Sequence, residues 1–252
     1  MVERALSFGA AAAAYERFRP GYPDELVSLV LDHATRPVRS ALEIGAGTGK
    51  ATRAFAARGV VVTATEPDEA MLEELRRHVP PTVRPVLASF EELSPAPDHD
   101  LVYAAAALHW TSPTGRWARV AAALRPGGVF ASFGGPFRLA DPSLADAVAA
   151  ARAVWLADDE VPSPDGTPET DDLQWPGTEL VAEPAFTDVR QETVPRRLLL
   201  PADDYVGHLA TVSAYLQLAE DDRAAALRSI AAVLPPTVAV DADLTVHLTR
   251  LT

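Results

Sequence analysis

The sequence predicts an α/β chain built on a doubly wound, mostly parallel sheet. Two observations predict it. From residue 39 onward, short apolar runs alternate with helical patterns, and such alternation implies parallel strands covered by helices on both faces. The first of those runs, "SALEIGAG", breaks into glycines at 45, 47 and 49 where a strand hands over to a helix. A turn of that kind lets a ligand approach the backbone closely.

The elements follow in order. The run up to Phe18 reads as an Ala-rich helix stopped by "RPGYP". Pro23, Asp24 and Glu25 mark a new helix start, with acids at the positive end of the dipole and Leu26, Leu29 and Val30 as an apolar face. "KATRAFAARG" is a helix with Gly59 at its C-terminal end, and "VVVTATEP" is a buried strand. "DEAMLEELRRHV" is a helix in which Glu73 and Arg77, four apart, are expected to pair. "VRPVLAS" and "DLVYAAAAL" are the third and fourth strands. "GRWARVAAAL" is helical, and "RPGG" turns the chain into a fifth strand, "VFASFG".

After residue 136 the pattern changes. "SLADAVAAARAVWLAD" reads as a helix. "DEVPSPDGTPETDDLQWPG" is acidic, Pro-rich and aperiodic, the composition of a lid or an excursion. Its acids (Asp158, Asp159, Glu160, Asp171, Asp172) read as a solvated face. "DVRQETVPRRLLL" alternates like one exposed strand. "ADDYVGHLATVSAYLQL" and "DDRAAALRSIAAVL" read as helices, and "DLTVHLTRL" as a closing strand. The whole is expected to form a single domain: a helical cap over 1–36, a ligand-binding core over 37–136, an insertion over 137–182, and C-terminal elements over 183–252 that complete the sheet and a pocket.

Composition narrows the function. The 252 residues carry a formal charge of -13, which repels phosphate backbones and argues against a nucleic-acid partner. There is no cysteine, so disulfides, thiolate nucleophiles and Cys-ligated metals are excluded. No His and carboxylate set has metal spacing, and no metal is expected. No window suits a membrane span and the N-terminus lacks a signal-peptide pattern, so the expected location is cytoplasmic. A monomer or homodimer is expected.

Two ligand classes use such a glycine turn. A dinucleotide fingerprint wants its third glycine at position 50, where this chain has Lys50. Glu43 precedes the loop and Glu66 ends the next strand, where an acid accepts hydrogen bonds from both ribose hydroxyls. "LEIGAGTGKATRAFAARGVVVTATEPDEAML" resembles the first two motifs of class I S-adenosylmethionine (SAM)-dependent methyltransferases, and "RPGG" resembles a later motif of that family. "AYERFRPGYP", "LHW" and "YVGHLATVSAY" resemble the narrower small-molecule group of the trans-aconitate methyltransferase, or methyltransferase type 11, kind.

The resemblance implies a Rossmann-like, seven-stranded sheet whose last strand is antiparallel, and SAM as cofactor with S-adenosylhomocysteine as product. It implies that Gly45, Gly47 and Gly49 admit the methionine part of SAM and that Glu43 holds its amino end. Glu66 with Pro67 would meet the ribose, and Ser89 and Phe90 the adenine. Family members often have Asp where this chain has Ser89, a neutral and weaker acceptor. Ala105 and Leu108 would lie beside the cofactor, and Tyr15 and Arg19 would close over its carboxylate.

Chemistry at the methyl group needs a base only if the acceptor arrives protonated. His109, just after the fourth strand, is the candidate base, with a packing role as the alternative. Tyr22, Trp110, Trp155, His208 and Tyr215 are candidate acceptor-pocket residues, with Phe137 and Trp175 as further apolar walls; core packing is the competing reading for each. Tyr205, His208 and Val212 share one helical stripe. The leading function is methyl transfer to a small molecule, an oxygen acceptor favoured. The alternative is a non-methylating cyclisation or rearrangement in natural-product biosynthesis on the same fold.

Overall fold

A computed structural model describes Gly9 and residues 11–157, 163–168 and 170–252. These residues group into two units. One holds residues 21–134, those from 163 to Val194, and Thr245–Thr252; the other holds the described residues up to Pro20, those from Gly135 to 157, and Pro195–Leu244.

The first unit carries a seven-stranded sheet in the order β3-β2-β1-β4-β5-β10-β7. Its strands are β1 (Ser40–Ile44), β2 (Val61–Glu66), β3 (Arg84–Leu87), β4 (His99–Ala105), β5 (Leu124–Gly134), β7 (Phe186–Val194) and β10 (Leu244–Leu251). The first five pair in parallel, and β10 runs antiparallel to β5. This is the expected sheet, with the last strand of the chain inserted before β7. Helices α2 (Asp24–Asp32), α3 (Lys50–Ala57), α4 (Glu69–His78), α5 (Arg116–Ala123) and the short α7 (Gly177–Leu180) connect or flank its strands.

The period-2 alternation of β1 and β4 sorts their side chains between two faces. Leu42, Ile44, Val102 and Ala104 join Phe130, Val120 and Trp117 in one apolar cluster. Glu43 and Tyr103 point the other way, where Tyr103 lies 4.4 Å from Phe55 and 6.0 Å from Phe133 between ring centroids. Tyr22 meets Phe133 edge-on at 5.1 Å. Asp68 caps α4, accepting from the Ala70 and Met71 amides, as its place before an acidic first turn favours. The pair expected between Glu73 and Arg77 is not the one formed. Arg77 and His78 both bind Glu74, at 2.6 and 2.9 Å, while Glu73 is exposed.

The second unit contains α1 (Ala12–Phe18), β6 (Arg138–Leu139), α6 (Pro142–Arg152), β8 (Arg197–Pro201), α8 (Ala202–Leu209), α9 (Ser213–Leu216), α10 (Glu220–Val233) and β9 (Thr237–Asp241). Its three strands form an antiparallel sheet in the order β6-β9-β8, which the sequence reading did not foresee. The stretch read as one strand over 188–200 is two, parted at Pro195-Arg196, and the pieces join different sheets. The helix expected to continue past Leu209 breaks at Ala210–Val212. There the Thr211 hydroxyl donates to the His208 carbonyl at 2.7 Å, ending the stripe expected to link Tyr205, His208 and Val212. The helix expected over 143–158 ends at Arg152. Residues 158–160 of the acidic run lie outside the described residues; Asp171 and Asp172 are exposed.

Candidate active site

The strand order reverses between β1 and β4, since β1 connects onward to β2 on one side while the chain later returns to β4 on the other. Ligands of such sheets bind outside the carboxyl ends of the strands at that point. The glycine loop leaves β1 there. Gly45, Gly47 and Gly49 all have left-handed φ, at 65°, 56° and 84°, a region unfavourable to most side chains. Gly45 has a second reason to be glycine: a Cβ would stand 2.6 Å from the Ala107 Cβ, in the turn after β4. A Cβ on Gly49 would likewise stand 2.9 Å from Leu75 of α4 and 3.1 Å from Val79, the residue just after that helix. Gly47 alone has its amide held by an acid.

That acid is Glu66, at the end of β2. Its Oε2 accepts from the Gly47 amide at 2.8 Å and its Oε1 from the Asp68 amide at 3.0 Å. Burial pushes its carboxyl pKa up, and the two amide bonds oppose that shift. Each carboxylate oxygen keeps a second acceptor site, so holding the loop does not exhaust Glu66.

Beneath the loop lies a buried polar cluster. The β1–β4 register sets Glu43 directly beside Tyr103. The Tyr103 hydroxyl donates to Glu43 Oε2 at 2.9 Å, and the Thr52 hydroxyl on α3 donates to the same oxygen. Glu43 is 0% exposed, and among the described residues its Oε1 has no hydrogen-bond partner. Desolvation pushes its pKa up to about 8, against the pull of the Thr52 and Tyr103 bonds. Sequence reasoning missed Thr52 and Tyr103. Both sit in runs that read as ordinary helix and strand, and only the register brings them to the carboxylate.

Further along the same edge, the Ala88 amide donates to the Glu66 carbonyl at 3.1 Å, which ties the start of the Ser89 turn to β2. Ser89 caps a short 3-10 turn over Phe90–Glu92, and both its amide and its hydroxyl donate to Glu92 Oε2, at 2.8 and 2.9 Å. The hydroxyl proton is thereby committed, leaving Oγ as an acceptor. Phe90 is buried in the core. Ala106, after Ala105, has φ 53° and its amide donates to the Phe133 carbonyl at 2.7 Å. Leu108, His109 and Trp110 form a second 3-10 turn. Leu108 is buried, while His109 and Trp110 are half-buried with ring centroids 4.6 Å apart.

The family comparison falls on this region. Residues 41–128, from β1 to the RPGG turn, match the methyltransferase domain family. Over this stretch the chain resembles a methyltransferase domain. It is 44% identical over 128 residues to an uncharacterized methyltransferase of Mycobacterium tuberculosis, covering 50% of this chain and 51% of that protein. It is 36% identical over 124 residues to the trans-aconitate 2-methyltransferase of Delftia acidovorans, covering 47% and 44%. The matched stretch thus spans about half the length of these curated relatives. A solved structure from Anaeromyxobacter dehalogenans, provisionally assigned as a type II methyltransferase, superposes with a TM-score of 0.63 at 27% identity, over 92% of this chain and 98% of that one.

Most of the remaining sequence-predicted residues belong to the other unit. Arg19 donates through Nε to the Thr211 hydroxyl at 2.8 Å and through a terminal nitrogen to the Thr211 carbonyl at 3.1 Å. Its guanidinium carbon lies 5.2 Å from the centre of the Tyr15 ring. His208 is buried and stacks on Phe137 at 3.7 Å. Burial holds its pKa well below the ordinary histidine value, so it is a neutral ring locked in packing. Tyr215 is fully buried and accepts from Arg152 at 3.2 Å; Trp155 is half-buried. Trp175, in the first unit, packs against the apolar cluster under the Arg116 guanidinium.

Proposed function

We propose that this chain binds SAM at the glycine loop and transfers its methyl group to a small molecule, an oxygen acceptor favoured. The observation that carries the reading is the pairing of two acids on one loop. Glu66 pins the Gly47 amide from β2, and Glu43 lies buried beneath with an unused oxygen. A buried carboxylate oxygen with no donor is costly unless a ligand cation or hydrogen-bond donor meets it, and the α-ammonium of SAM has that chemistry. Glu66 would take the ribose, Ser89 Oγ would accept from the adenine amino group, and Ala105, Leu108 and Pro67 would line the cofactor. SAM supplies a sulfonium-activated methyl electrophile.

The methyltransferase match over 41–128 and the trans-aconitate relative support a small-molecule acceptor. Incubation with methyl-labelled SAM and a small-molecule extract tests the reading. Labelled product with equimolar S-adenosylhomocysteine is expected; substrate loss without S-adenosylhomocysteine would point instead to the cyclisation or rearrangement chemistry. Gly47→Asn sharpens the binding test, because Asn tolerates a left-handed φ better than other side chains while adding bulk where the ligand would approach. It should fold normally and lose about tenfold or more in SAM affinity, about 1.4 kcal/mol. Native affinity in Gly47→Asn would remove the loop from the site.

His109 would act as base for a hydroxyl acceptor, from the turn that follows β4. His109→Asn is then expected to lower kcat about a hundredfold or more while SAM affinity stays within about twofold. Unchanged kcat at every pH would leave His109 as a lining residue, as a carboxylate acceptor requires.

A further inference from the structure

We propose that SAM binding expels a proton from Glu43, so that this buried carboxyl is a positioning residue whose ionisation is linked to filling of the glycine loop. The inference rests on the cofactor reading above and goes beyond it to the protonation state of the empty-handed oxygen.

The geometry makes the case. Glu43 is wholly buried between β1, β4 and α3. Among the described residues, the Thr52 and Tyr103 hydroxyls donate to Oε2, and nothing donates to Oε1. No cation among the described residues forms an ion pair with it within 4.0 Å. The charged and titratable groups that act on it are Glu66 from β2, which disfavours its ionisation, Arg53 from α3, which favours it more distantly, and the Tyr103 phenol from β4. Two neutral hydroxyl donors do not balance full desolvation of a carboxylate, and burial accordingly raises the pKa to about 8. The ligand-free protein therefore holds Glu43 as the neutral acid at neutral pH.

A ligand ammonium against Oε1 reverses this. The O–H bond of the carboxyl breaks, the proton passes to solvent, and the carboxylate keeps the electron pair and faces the cation. Charge is balanced: one neutral acid and one cation become one ion pair and one released proton. By linkage, SAM affinity then rises about tenfold per pH unit between roughly pH 5.5 and 7.5, peaks near 8, and falls above it as the ligand ammonium loses its own proton. At pH 6.5 the α-amino group of free SAM, with a pKa of about 8, is already charged, so the proton comes from the protein.

The test is calorimetric titration of the purified chain with SAM at pH 6.5 in buffers of different ionisation enthalpy, on the native protein and Glu43→Gln. Gln preserves the shape and an acceptor for Thr52 and Tyr103 but cannot ionise. The native protein is expected to release roughly one proton per SAM bound, and Glu43→Gln none. Difference infrared spectroscopy on the native protein gives a second readout that needs no variant: a protonated carboxyl band present without ligand and lost on adding SAM. Binding without proton release, release of equal size in Glu43→Gln, or a carboxyl band unchanged by SAM would each overturn the linkage while leaving the cofactor reading in place. Failure of the native chain to bind SAM at all would overturn both.

Discussion

Glu66→Ala should lose SAM affinity by about a hundredfold or more, roughly 2.7 kcal/mol. Two losses combine. The carboxylate would no longer accept from the ribose hydroxyls, and hydrogen bonds to a charged group contribute about 1.5–3 kcal/mol. The amides of Gly47 and Asp68 would also lose their acceptor, at about 1–3 kcal/mol for each one left buried and unpaired. The second loss acts without ligand, so the melting temperature of the ligand-free variant should fall as well. Glu66→Gln separates the two. Its amide oxygen can serve one backbone amide, but its NH2 group faces a donor on the other side. An intermediate loss of about tenfold in affinity is expected, with a smaller fall in melting temperature. Calorimetric titration beside thermal denaturation measures both. Affinity within about threefold of native in Glu66→Ala would mean that the acid serves the loop alone and that the ribose is held elsewhere.

The parts of the fold that were legible in the sequence share a physical cause. β1, β2, β4 and β5 are largely buried runs, β3 is a half-exposed edge strand, and all are bounded by turn residues; the glycine loop stands at a fixed place between strand and helix, so period and punctuation sufficed. The small sheet was not legible because β6 has two residues, too few to show a period. β9, "TVAVD", does alternate, with Val238 and Val240 buried, but it is only five residues long and follows Pro235-Pro236, which punctuates the end of a helix without marking a strand. Pro195 lacks an amide for a ladder, and that was sufficient reason to divide "DVRQETVPRRLLL". The break after Leu209 depends on Thr211 bonding back to His208 and receiving Arg19, a contact 192 residues apart in the chain. The site divides the same way. Glu43, Glu66 and the glycines were visible because local motifs carry them. Thr52 and Tyr103 were not, because a hydroxyl's partner is set by register. Nor was the packing reason for Gly45, which depends on Ala107 from another loop.

Glu43 also makes the ligand-free protein's stability fall with pH, and Glu43→Gln should abolish that fall. The sign follows from proton counts. The unfolded chain ionises this group near 4.5, while the folded chain holds its proton to about 8. Between those values the folded state binds more protons, so stability declines as pH rises, by about 1.4 kcal/mol per unit at most. The full span corresponds to about 3–5 kcal/mol. Histidines act with the opposite sign: burial lowers the pKa of His33, His99, His208 and His247, the last to about 4. They remove stability as pH falls below about 6.5 and are silent above it. Glu43 is therefore best seen between pH 6.5 and 8. Urea denaturation across that window should show native stability dropping while Glu43→Gln stays nearly level, the variant being about 3 kcal/mol or more the stronger at pH 8. Saturating SAM should narrow the gap, because the ionised native side chain then has its cation. Parallel curves for the two proteins would mean that Glu43 is already ionised in the free fold, with a partner for Oε1 supplied by the loop itself. The same group would thus cost the empty protein stability and return it on binding, a trade expected of a residue kept for a ligand rather than for packing.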